Sequence, residues 1–165
     1  MRNNREQIKK LSLLSLLTAA AMILSYVEAV LPPVFASVPG IKMGLPNIIV
    51  IFILYRMGAV SAIAVSFVRI FLTALLFGSP MSFIYSLAGA VFSLAVMMIL
   101  KKADFLSAIG VSVAGGVFHN LGQILMAMLL LETAAIGYYM IVLAVTGTIA
   151  GIFVGLCGAF LMQRI

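Results

Sequence analysis

The sequence predicts an all-α, polytopic membrane protein, a bundle of about six transmembrane helices forming one integral domain over residues 1–165, with one short helix following a proline-rich outer loop. Three observations predict it. Apolar residues make up 65% of the chain, charged residues only 8%, and the mean hydropathy is +1.30, far outside the range of soluble domains. The apolar residues fall in runs of about 20, the length that crosses a hydrocarbon layer of ~30 Å, with short polar pieces between them. The basic residues stand at the ends of those runs and favour one side. The net charge of +6 is therefore a topology signal, since no basic patch with interleaved aromatics exists to bind nucleic acid.

The opening "MRNNREQIKK" reads as a basic cytoplasmic N-terminus over residues 1–10. The apolar run over 11–31 is the first span, stopped by Pro32 and Pro33. It exceeds the ~7–15 residues of a signal-peptide core, so it is expected to stay as a helix. The following "PPVFASVPGIKMGLPN" carries four prolines and two glycines, which excludes a regular helix and predicts an ordered or re-entrant loop. The apolar piece over 45–57 is too brief to cross unaided unless Gly44 to Pro46 also lies at membrane depth. Spans over 59–77, 82–100, 105–131 and 134–162 complete the bundle. With the N-terminus inside, the cytoplasmic face receives eight basic residues, Arg2, Arg5, Lys9, Lys10, Arg56, Lys101, Lys102 and Arg164, against Lys42 alone outside. Both termini are then cytoplasmic and the chain sits in the cell membrane.

Arg69 belongs to neither side, because it lies within the third span. Counting ~1.5 Å per residue from the cytoplasmic helix ends puts Arg69 ~15 Å deep and His119 ~21 Å deep. Glu28 stands near the outer end of the first span, and Lys42 and Asn47 belong to the outer loop and the helix it feeds. Polar groups thus gather in the outer half. A mid-span arginine costs ~2.5–3.5 kcal/mol on insertion scales and should face the bundle interior with a partner or water. Two stripes at helical spacing agree: Ala62, Ser66, Arg69 and Thr73, and then Ser112, Gly115, Gly116, His119, Asn120 and Gln123. Such stripes also serve close helix packing, with small residues permitting approach and amides bonding across helices. Packing alone explains Gly147, Gly151 and Gly155 in the last span, which should seat it on a neighbour. Ala21, Ser25 and Ala29 form a shorter stripe that either packs internally or docks a partner.

Much chemistry is excluded. The four acidic residues, Glu6, Glu28, Asp104 and Glu132, are dispersed over both faces and form no DDxxD pair, so a two-carboxylate magnesium-diphosphate site cannot be built from them. No GxxxxGK[ST] or GxGxxG stretch offers a phosphate loop or a dinucleotide turn. The one cysteine, Cys157, allows neither an internal disulfide nor a thiolate metal cluster. No cofactor or metal is expected, and a non-catalytic binding or permeation subunit fits best.

The order of "PGIKMGLPNI", "VSFVRIFLTALLFGSP", "FIYSLAGAVFSLAVM" and "IGVSVAGGVFHNLGQ" resembles the Gx transporter family, often labelled heptaprenyl diphosphate synthase component I, over nearly the whole chain. That family in turn is similar to the substrate-binding S components of energy-coupling factor transporters. The resemblance implies a six-helix protein whose pocket opens outward beneath the first outer loop. Lys42, Gly44 and Asn47 would stand at the rim, and Arg69, His119, Asn120 and Gln123 in or near the pocket. It also implies an energy-coupling membrane subunit and ATPases supplied in trans. A solute-uptake component for a small anionic or polar-headed substrate is the expectation, since the guanidinium fork suits carboxylate and phosphate. The alternatives are a non-catalytic membrane subunit of a polyprenyl diphosphate synthase in isoprenoid or quinone biosynthesis, and a structural membrane partner without a ligand.

Overall fold

The computed structural model describes residues 2–30 and 44–164, and Lys42 with most of the proline-rich loop lies outside them. Among the described residues six α-helices follow one another: α1 (Arg2–Val30), α2 (Asn47–Arg56), α3 (Ala59–Phe77), α4 (Pro80–Ala103), α5 (Ala108–Leu130) and α6 (Met140–Arg164). A short 3-10 helix, Ala134–Tyr139, precedes α6. Five helices among the described residues are long and apolar enough to cross a bilayer, and α2 is shorter. Large apolar side chains face outward all round the bundle, among them Val60, Leu75 and Ile141. In water such a surface would be untenable, whereas against lipid it is the expected face of a membrane-embedded protein.

Local chemistry sets the helix ends. Ser79 accepts the Ser82 amide at 3.1 Å with Pro80 in the first turn of α4, and Ser107 accepts the Gly110 amide at 3.3 Å at the start of α5. Gly58, at φ 90°, makes the turn between α2 and α3 in a region only glycine enters freely. The polar start of α1 differs from the expectation of a separate terminus, because the helix runs on through "RNNREQIKK". Nothing in that stretch breaks a helix, and its charged side chains from Arg5 to Lys10 are exposed. Where one helix was expected over 134–162, Thr133 accepts the Ala135 amide at 3.4 Å and a 3-10 turn forms first.

Helix α2 is the pivot of the bundle. Its residues Ile49, Val50, Ile51, Phe52, Ile53 and Leu54 are all buried, so it is apolar on every side because it is enclosed on every side. It touches α1, α3 and α6, while α4, α5 and α6 pack side by side as the most extensive contacts of the molecule. Ten residues span ~15 Å, about half a bilayer. Its C-terminal end is held by Lys101, whose Nζ donates to Leu54 O and lies 4.9 Å from the Tyr55 ring centroid. Leu14, Leu17, Tyr55, Met57, Leu100, Leu106 and Leu161 pack against the core to which α2 contributes most. The basic ends of α2 and α4 meet at one face of the bundle.

The α5–α6 seam is built from glycine. A Cβ on Gly151 would lie 2.6 Å from Val113 Cα, one on Gly155 2.8 Å from Ile109 Cα, and one on Gly147 2.8 Å from Gly116 O. Backbone meets backbone there, as the small-residue stripe predicts.

Candidate functional site

A cleft opens at the end of the bundle away from the basic residues, between the last turns of α1, the start of α2, the second half of α3, the first turns of α4 and the middle of α5. It holds about 40 Å³ of space for water-sized molecules, room for a few waters beside its polar lining. Ser25, Glu28, Asn47, Arg69, Thr73, Ser82, Phe83, Ser86 and His119 line it.

Arg69 is the centre of the site. It sits at the inward face of α3 below Ser61, Ala62 and Ser66, all buried, and is itself 8% exposed. Its Nη1 donates to Ser25 Oγ at 3.2 Å, and that hydroxyl donates in turn to Ala21 O at 2.9 Å. Its Nε has no hydrogen-bond partner among the described residues, nor has Thr73 Oγ1 one turn further along α3. An enclosed donor left unmade costs roughly 1–3 kcal/mol, more for a charged group. Glu28, one turn after Ser25 on α1, accepts the Gly44 amide through Oε1 and ties the end of α1 to the turn that begins α2.

His119 reaches the cleft because α4 leaves it a seat. A Cβ on Gly89 would stand 2.9 Å from both Cε1 and Nδ1 of the imidazole, and Gly122 approaches Ala88 O closely enough that its own Cβ would lie 2.8 Å away. Two glycines on facing helices thus set the ring's position.

The remaining residues divide. Asn47 lines the cleft, yet it stands deeper than a loop rim, because it also borders a second, smaller cavity of about 20 Å³ together with Ser112 of α5 and Ala150 and Gly151 of α6. A helix that spans only half a bilayer and ends among basic residues must begin near mid-depth. Asn120 turns the other way: it is 5% exposed and its Nδ2 donates to Leu143 O on α6 at 2.8 Å. Gln123 is half-buried and is not among the cleft residues. Adjacent positions on a helix point about 100° apart, so a stripe holding both His119 and Asn120 faces two neighbours. Ala21 and Ser25 are 0% and 7% exposed and pack within the bundle, where Ser25 holds Arg69, whereas Ala29 is exposed. Those two residues are not a docking surface. Ser82 and Ser86 went unnoticed in the sequence, although with Gly89 and Ser93 they repeat at helical spacing.

A family model described as heptaprenyl diphosphate synthase component I matches residues 17–161. No curated protein and no solved structure matches the chain.

Proposed function

The chain belongs to the heptaprenyl diphosphate synthase component I family, a membrane protein by its helices, and from that premise we propose that it is a non-catalytic solute-uptake component. It binds a small anionic or polar-headed substrate in the cleft and relies on an energy-coupling membrane subunit and ATPases supplied in trans. The single observation that carries this reading is Arg69, an enclosed permanent charge with one nitrogen held by Ser25 and its Nε without a partner among the described residues. Intramembrane charge that is not fully paired marks a functional site by default. A cleft at the end opposite the basic residues then opens outward in the cell membrane, with both termini cytoplasmic. Single cysteines at Lys102 and Glu132, in a chain freed of Cys157, should label from outside only at Glu132. Labelling at Lys102 alone inverts the orientation.

The family's description favours a second reading, in which the chain is an accessory membrane subunit of a polyprenyl diphosphate synthase. Gentle purification separates the two. A small molecule released from the wild-type chain and missing from Arg69→Met supports uptake. A co-purifying soluble synthase, with no small molecule released from either protein, supports the accessory role.

A further inference from the structure

We infer that the second cavity binds one structural water, which bridges Ser93 of α4 and Ser112 of α5 to Asn47 at the start of α2. The site is separate from the Arg69 cleft and does not depend on what the cleft binds. The cavity lies where α2, α4, α5 and α6 meet, and it holds about 20 Å³ of space for water-sized molecules. A single water needs about 10–15 Å³ on that measure, so there is room for one and not for two. Ile51, Met97 and Val154 give the cavity an apolar wall, and Asn47, Ser93 and Ser112 line it with polar side chains. Apolar cavities stay dry, whereas a buried water makes about three hydrogen bonds, the number these side chains can supply.

The two hydroxyls are turned to that space. Elsewhere in the bundle Thr18, Ser25, Ser61 and Thr148 each donate to the carbonyl four residues earlier on their own helix, at 2.8–3.2 Å. Ser93 and Ser112 are 4% and 3% exposed, and neither makes that bond among the described residues. A hydroxyl so enclosed needs a partner, and the cavity is what both of them line. Gly115 keeps the space open, since a Cβ there would lie 3.2 Å from Ser93 Oγ and 2.6 Å from Met97 Sδ. Water suits the set because it can donate to one group and accept from another, whichever way the hydroxyls and the carboxamide point. A cation would have to exchange its hydration for neutral groups in an interior that screens charge poorly. Asn47 lines the cleft as well, so the water ties the start of α2, and one wall of the cleft with it, to α4 and α5.

The direct test is an experimental map of the full wild-type chain at a resolution that shows ordered waters. It should hold one peak at about 2.7–3.2 Å from Ser93 Oγ, Ser112 Oγ and the Asn47 side chain. A cavity without density, or a peak that touches only one of the three, would overturn the inference. Oxygen contacts shorter than about 2.5 Å, with a melting temperature that rises when sodium replaces choline in the buffer, would make the occupant a cation and overturn the water assignment. A second measurement reads the bridge in solution. Ser93→Ala and Ser112→Ala should each lower the melting temperature by about 2–4 °C, and the double variant by clearly less than the two together, because both lose the same water. Fully additive shifts would show two hydroxyls acting apart and would overturn the bridge.

Discussion

The α5–α6 seam and the α1–α3 cleft use the same vocabulary, small and polar residues in apolar helices, to opposite ends. In the seam every group is spoken for: Gly147, Gly151 and Gly155 bring backbone against backbone, and Asn120 donates across to Leu143 O at 2.8 Å. In the cleft, Ser25 satisfies one nitrogen of Arg69, while its Nε and the Thr73 hydroxyl stay without partners among the described residues. The difference teaches that a polar residue inside a membrane helix does not by itself mark a site. What marks one is hydrogen-bonding capacity that the fold encloses and does not use.

The comparison breaks most visibly at the seam. Leucine at Gly151 must place a side chain where even a Cβ would meet Val113 Cα at 2.6 Å, and that obstacle is backbone. Overpacking of this kind costs about 1–3 kcal/mol when side chains can yield, and here the helices themselves must part. Gly151→Leu should therefore lose most monodisperse folded protein in size-exclusion chromatography. Ile149→Leu, on the exposed face two residues away, should not. Equal yields would show that the seam is looser than glycine-to-backbone contact.

The reverse pattern is expected in the cleft. Arg69→Met removes a buried charge and an unused donor, so folded yield and melting temperature should hold. Affinity for the co-purified small molecule should fall on the order of 10–100-fold. Arg69→Lys keeps the charge but loses the fork, and should recover only part of that loss. A melting temperature that drops in Arg69→Met as far as in the seam variant would assign the arginine to structure.

How much of this contrast was legible in the sequence depends on which periodicity carried it. The membrane class, the helix order and the glycine seam follow from composition, run length and three-to-four spacing, which do not need to know a neighbour. Arg69 stood out for the same reason, as a charge in an apolar run. Partners were not legible, because a stripe gives an angle on its own helix and nothing about what faces it. Thus Ser25 read as packing or partner docking although it holds Arg69, and Asn120 read with His119 although about 100° of helix turns it to α6. The depth of Asn47 was hidden too, since it follows from where the short α2 ends.

Asn120 sharpens the comparison at smaller scale. Asn120→Leu abolishes the bond to Leu143 O, and interhelical hydrogen bonds in membranes contribute about 0.6–1.7 kcal/mol. Thr146 Oγ1 still donates to that carbonyl at 3.1 Å, which softens the loss. Stability against unfolding should fall by roughly 1 kcal/mol with ligand affinity unchanged. An affinity loss like that of Arg69→Met would move Asn120 into the site.

Gln123 carries the smallest expected effect and marks where the site ends. It lies one turn beyond His119 on α5, about 40° round the helix, so spacing alone would group the two. The cleft is lined by His119 and not by Gln123, which is only half-buried. A partly exposed amide near a membrane helix end can find water or headgroup partners, so its removal leaves little unsatisfied. Gln123→Leu should change stability by less than about 0.5 kcal/mol and leave ligand affinity as it is, measured beside His119→Leu in the same assay. His119→Leu, by contrast, removes a polar wall of the cleft above Gly89 and should weaken binding. If Gln123→Leu weakened binding as much as His119→Leu, the pocket would extend a further turn along α5, and the boundary between unused and satisfied polar groups would have to be redrawn there.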